Sequence, residues 1–160
     1  MIIRSSQLGE IEIDESRVIT FPHGIPGFEN DRKFAIISID GEGPFYYMHA
    51  VSNPDLCLVL AVPFVFFPDY ELEIAPESQE GREVSEILGI ENGEQELAVF
   101  TVLTIPRDFK DTTANLLAPV IVNPKSRKGL QYVPANSRYR TKHRIFPEQQ
   151  KAAAAQGQGL

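Results

Sequence analysis

The feature that most limits the possible folds is a succession of short segments with a period of two, or rich in β-branched and aromatic residues, each closed by turn residues. GEIEID (Gly9 to Asp14) alternates Glu10, Glu12 and Asp14 with Ile11 and Ile13, the pattern of a half-buried strand. VITF, KFAIISI, FYYMHAV, LCLVLAV, ELEI, ELAVFTVLTI, APVIVN and GLQYV continue the series. Between them stand Pro22, Gly24, Pro26 and Gly27, then Asp40, Gly41 and Gly43, then Asn53, Pro54 and Asp55, then Asn123 and Pro124. No repeated helices stand between the strands, which argues against a mixed doubly wound fold. The expected class is mainly β, a small antiparallel β-barrel-like single domain with one short helix.

That helix is expected within Ser78 to Leu88. Ser78 supplies an N-cap, and Gly89 stands where a left-handed C′ residue belongs. Val84, Ile87 and Leu88 form one apolar stripe for docking on the sheet. With 160 residues the chain is long enough to bury one core without metal or disulfide. Residues 1–147 are expected to form the barrel domain, and 148–160, ending AAAAQGQGL, a flexible Ala/Gln/Gly-rich tail.

Cys57 is the only cysteine and lies in the apolar run LCLVLAV, so it reads as a small buried hydrophobe in a reducing compartment. The N-terminus lacks a basic segment followed by a long apolar one, and the longest apolar run, about Leu56 to Phe67, is broken by Pro63. A cytoplasmic protein without a membrane segment is expected.

Enzyme chemistry finds no foothold. His23, His49 and His143 have no metal-ligand spacing with one another or with Cys57. HGIPGFE matches no phosphate-binding pattern and is expected to be a tight turn needing positive φ. No catalytic, cofactor-binding or metal-binding residue is assigned, and no cofactor is expected.

Charge is unevenly distributed. The total is −7, from 15 Lys and Arg against 22 Asp and Glu. Asp69 to Glu96 holds ten acids and a single base, Arg82, whereas Lys125 to Arg144 holds seven bases and no acid. The acidic stretch opens with FVFFPDYELEI, Phe64 to Ile74. On a strand, Tyr70, Leu72 and Ile74 share one face and Asp69, Glu71 and Glu73 the other. Phe64 to Phe67 cannot all face one core if extended, and Pro68 favours an edge or bulge. A solvated face explains the carboxylates; an exposed aromatic beside them points instead to a protein-docking surface.

Six segments carry a resemblance: GEIEID, ITFPHGIPGFE (Ile19 to Glu29), NPDLCLVLAVPFVFFPDYELEI (Asn53 to Ile74), VLTIP (Val102 to Pro106), TANLLAPVIVNPKSRKGLQ (Thr113 to Gln131) and YRTKHRIF (Tyr139 to Phe146). In order and spacing they resemble the FliW family of flagellar assembly factors. The resemblance implies a cytoplasmic, non-enzymatic regulator that binds the translational repressor CsrA, an RNA-binding protein that silences flagellin mRNA. It also implies binding of flagellin, in a chaperone-like role. Accumulated flagellin would occupy the protein and leave CsrA free to repress; exported flagellin would release it to antagonise CsrA. The free protein is expected to be a monomer without direct nucleic-acid contact.

The residues assigned to partner binding are Phe66, Phe67 and Tyr70 as apolar anchors, with Asp69, Glu71 and Glu73 as the source of a negative field. Asn115 reads as a turn-pinning residue or a partner contact. Lys125 and Arg127 read as a solvated turn or a site for an acidic or polar partner segment. The rival reading is an RNA-binding barrel using the cations of Lys125 to Arg144 with Tyr132 and Tyr139 for stacking.

Overall fold

The computed structural model describes residues 1–72, 74–75, 77–90 and 96–146. The expected tail and the side chain of Glu73 lie outside the described residues.

A meander of antiparallel strands comes first. β1 (Ile2–Ser5) and β2 (Gly9–Glu12) form a separate two-stranded ribbon. β3 (Val18–Thr20), β4 (Lys33–Ser38), β5 (Phe45–Ala50) and β6 (Cys57–Ala61) then follow as neighbours in sequence and space. Between β3 and β4, HGIPGFE is the expected tight turn: Gly24 and Gly27 have φ of 66° and 89°. A Cβ on Gly24 would lie 2.7 Å from backbone atoms of Glu29, so only glycine fits.

From β6 the chain makes a long excursion. α1 (Pro63–Phe66) is one short turn of helix, and α2 (Gln79–Leu88) runs where a helix was expected. Ser78 Oγ accepts from the Gly81 amide at 2.9 Å, and Gly89 closes α2 with φ 64°. The chain returns as β7 (Ala98–Thr104), β8 (Thr113–Asn123), β9 (Lys128–Gln131) and β10 (His143–Arg144).

β8 pairs with both β7 and β9, and β9 reaches β3, so seven strands, β3 to β9, close into a barrel; β10 lies against the start of β8. Every pairing is antiparallel except the closing one, in which β3 and β9 run parallel and meet at the single pair Thr20 and Lys128. Inside the barrel pack Ile19, Phe21, Phe34, Met48, Leu60, Phe100, Val120 and Val122. The Phe21 and Phe34 rings meet edge to face with centroids 5.2 Å apart. Gly129 makes room for Phe21, since a Cβ there would stand 2.6 Å from the ring's Cζ.

The outer faces of the strands are covered in two places. One cluster gathers Ala61, Leu103, Ala114, Leu116 and Ile145 with Tyr70; the other sets Val84 and Leu88 of α2 on Ile121 and Tyr132. Double-sided burial explains why several strands read as continuous apolar runs.

Three expectations are corrected. Pro63 to Phe66 is helical rather than extended; Pro63 takes the first helical turn, where its missing N–H costs nothing. The ELEI segment forms no strand among its described residues. Its sidedness survives: Tyr70, Leu72 and Ile74 pack inward, while Asp69 and Glu71 are exposed. Cys57 is half-buried rather than buried, and burial pushes its thiol above the ordinary value.

Candidate functional site

The partner-binding assignments begin at α1. With only one turn available, Pro63 is buried and the next side chains fan outward. Phe64 and Val65 are 43% and 59% exposed, forming an apolar knob. Phe66 and Phe67 turn back and pack partly buried on the outer cluster, with Phe66 against Phe45 at 5.5 Å between centroids. The anchors assigned from sequence, Phe66 and Phe67, are thus partly spent on the fold, and the exposed pair was missed. The signal for it was Pro63, a helix-opening residue ahead of a four-residue apolar run.

Tyr70 is 6% exposed and donates its hydroxyl to the Leu116 carbonyl at 3.1 Å. Leu116 offers that carbonyl because β8 is irregular. Val120 pairs with Phe100, but Asn115 pairs with Val102, so four residues of β8, 116 to 119, stand opposite Thr101 alone. Asn115 Oδ1 holds this bulge by accepting from the Ala118 amide at 3.1 Å, and Thr101 Oγ1 donates to the Asn115 carbonyl at 2.7 Å. Of the two readings of Asn115, turn-pinning is the role its side chain performs.

The loop after α1 is braced from the other side by the basic segment. Tyr70 and Tyr139 rings lie 4.7 Å apart, and Tyr139 Oη accepts from the Glu71 amide at 3.0 Å and from Arg138 Nη2 at 2.9 Å. The Arg138 guanidinium sits 5.0 Å from the Tyr139 ring centroid and 3.6 Å from the Glu71 carboxylate. The acidic and basic stretches of the sequence therefore meet, and part of each charge is answered by the other. His143 lies edge-on to Phe67 and Tyr139, both at 6.0 Å. Its Nε2 accepts from the Arg140 amide at 2.8 Å. Burial, and secondarily the Arg140 cation, hold its pKa below the ordinary value.

These residues line an open groove of about 420 Å³ that brings together Phe66, Phe67, Asp69 and Tyr70 with Leu116, Arg138, Tyr139 and His143. Glu71 stands beside it. Lys125 and Arg127 are elsewhere, on the turn that follows β8, at the opposite end of that strand from Asn115. There Asn123 Oδ1 accepts from the Lys125 amide at 3.1 Å, and Asn123 Nδ2 donates to the Leu88 carbonyl at the end of α2 at 2.8 Å.

The tyrosines assigned to RNA stacking have inward occupations. Tyr132 is 6% exposed and donates its hydroxyl to Glu80 at 2.7 Å; burial and this acceptor push its pKa up to about 12. Tyr139 is engaged by Tyr70 and Arg138. Among the described residues no three His, Cys, Asp or Glu side chains are grouped to hold a metal ion. Nor is any described helix long and apolar enough to cross a membrane.

Fold and surface together define a small closed β-barrel whose one long excursion braces an apolar knob beside carboxylates. A family model described as FliW protein matches residues 2–145. A flagellar assembly factor FliW of Syntrophomonas wolfei is 45% identical, over 99% of this chain and 100% of the relative. One from a Geobacillus strain, WCH70, is 38% identical over 92% and 97%. The crystal structure of a flagellar assembly factor FliW superposes with a TM-score of 0.81 at 38% identity, covering 92% of this chain and 98% of that one. The chain belongs to the FliW family.

Proposed function

We propose that this protein is a flagellar assembly factor that works by binding two proteins in competition, the translational repressor CsrA and flagellin. Membership of the family supports the flagellar role. One observation carries the choice of surface: two exposed apolar side chains, Phe64 and Val65, stand on the same braced segment as the exposed carboxylates Asp69 and Glu71. An apolar centre with a charged rim is the usual anatomy of a protein interface.

An mRNA-binding repressor presents cations along its phosphate-contacting groove. A carboxylate-bearing loop docked beside that groove steers encounter and lowers the local potential, so that RNA is disfavoured. The coupling is reciprocal: bound RNA weakens docking by the same factor. Asp69, Glu71 and Glu73 supply the field, with Arg138 offsetting part of it at Glu71. Phe66, Phe67 and Tyr70 set the shape beneath the knob rather than providing most of its contact area. Flagellin competes by mass action, which gives a homeostatic switch in the cytoplasm from a protein that is monomeric when free.

The test is capture of purified CsrA and flagellin, separately and in competition, by the native chain and by two variants. Phe64→Ala with Val65→Ala is expected to abolish capture of CsrA while the fold is retained. Charge reversal at Asp69, Glu71 and Glu73 is expected to keep the fold and lose RNA release. Unchanged capture and unchanged RNA release by both variants refute the assigned surface; failure of the native chain to bind either partner refutes the function.

A further inference from the structure

The weakest seam of the barrel gathers positive charge. β3 and β9 meet at one residue pair, Thr20 with Lys128, and across β3 the partner of Thr20 on β4 is Lys33. Directly paired residues project to the same face, and neighbouring strands lie about 4.8 Å apart, so Lys33, Thr20 and Lys128 form a row with two ammonium groups flanking a hydroxyl. Ile19 and Phe34, one position along, point into the barrel, so the row faces outward. Arg127 stands at its end, and all three cations line a groove of about 580 Å³ together with Val18, Val51 and a single acid, Glu15. Among the described residues none of the three is ion-paired.

Two further facts make this arrangement informative. The chain carries seven more acids than bases, so unpaired cations collected in one groove run against its composition. Arg127 also has φ of 57°, left-handed backbone that glycine or asparagine adopts more readily. The turn is already fixed by Asn123 Oδ1 on the Lys125 amide and by the Arg127 amide on the Asn123 carbonyl at 2.8 Å. A long cationic side chain is thus held at a position whose backbone favours something smaller.

We propose that this groove docks an extended acidic segment of a partner protein, one that alternates carboxylates with apolar residues. Carboxylates at every second residue share one face of an extended chain, about 6.6 Å apart, and that face meets the cations. RNA fits less well. Among the described residues the groove has no aromatic side chain on which a base could stack, and a polyanion approaches against a net charge of −7. The site is separate from the Phe64 knob, and its occupant need be neither of the partners proposed above.

The experiment titrates the full chain with a short fluorescein-labelled peptide alternating Glu with Val, followed by anisotropy at two salt concentrations. The native chain binds it, more weakly at high salt, and does not bind the same peptide with Gln in place of Glu. Arg127→Gly combined with Lys128→Gln weakens binding about tenfold or more. Because glycine suits the left-handed turn, Arg127→Gly alone keeps or raises the melting temperature and still weakens binding, which separates lost affinity from lost fold. No binding by the native chain, equal binding of the Gln peptide, or equal binding by the variants overturns the proposal. Displacement of the peptide by a uridine oligonucleotide overturns it in favour of a general polyanion site.

Discussion

The wall from β3 to β6 and the excursion from Val62 to Leu97 are built on different principles. The wall is held by continuous ladders, as from Phe34 and Ala50 to Ser38 and Tyr46, with interior side chains alternating along each strand. Among its described residues the excursion has two helices and no strand, and it is tied down at separate points. Tyr70 reaches the Leu116 carbonyl, Tyr139 meets the Glu71 amide, Tyr132 meets Glu80, and Asn123 and Ser126 both donate to the Leu88 carbonyl. Ladders distribute load over many bonds, whereas point anchors can be released one at a time. The first suits a scaffold, and the second suits a surface that meets partners.

The contrast can be broken or sharpened in order of expected effect. Phe34→Ala empties the barrel centre and is expected to cost about 3–5 kcal/mol, read as a lower denaturation midpoint with every probe moving together. Gly129→Ala forces a methyl toward the Phe21 ring and is expected to cost about 2 kcal/mol in the same global transition. Tyr139→Phe removes the acceptor for the Glu71 amide and is expected to cost about 1 kcal/mol. Its signature is faster hydrogen exchange at residues 69–72, with amides of β4 and β5 unaffected. If instead those wall amides exchange faster too, the two regions are one cooperative unit and the contrast fails.

Acid gives a milder local effect. The folded pKa of His143 lies below its ordinary value of 6.5, so both folded and unfolded states are neutral above that value. As pH falls through 6.5 the unfolded chain gains a proton that the folded one resists, and stability is lost. Protonated Nε2 also ceases to accept from Arg140. Exchange of the Arg140 amide should therefore quicken below about pH 6.5 before the wall responds. The smallest stability change is expected for Val65→Ala, within about 0.5 kcal/mol, because that side chain is 59% exposed, whereas Phe64 keeps a ring contact with Tyr70 at 5.8 Å.

The same contrast explains what could be read from the sequence. Wall strands are short runs rich in β-branched and aromatic residues bounded by turn residues, and KFAIISI, FYYMHAV and LCLVLAV each appear as strands. α2 was legible because Ser78, the Val84 and Leu88 stripe and Gly89 each signal a helix independently. α1 was not, because a four-residue apolar run has no measurable period and Pro63 alone had to decide it. At the candidate site, the inward face of Tyr70, Leu72 and Ile74 was readable from alternation, but the exposure of Phe64 and Val65 followed from a helix that alternation hides. The seam groove was half legible. Arg127 stood out in a charge run, whereas Lys33 and Lys128 become neighbours only through pairing across β3.

The irregularity of β8 at residues 116 to 119 has an evolutionary consequence. It turns part of a load-carrying strand into a row of sockets facing outward, which the Tyr70 hydroxyl plugs into from far along the chain. A segment attached through sockets can gain or lose residues between its plugs at little thermodynamic expense, since closing a loop grows costlier only with the logarithm of its length. Descendants of this barrel are free to rewrite that stretch for new partners while the wall's register stays untouched.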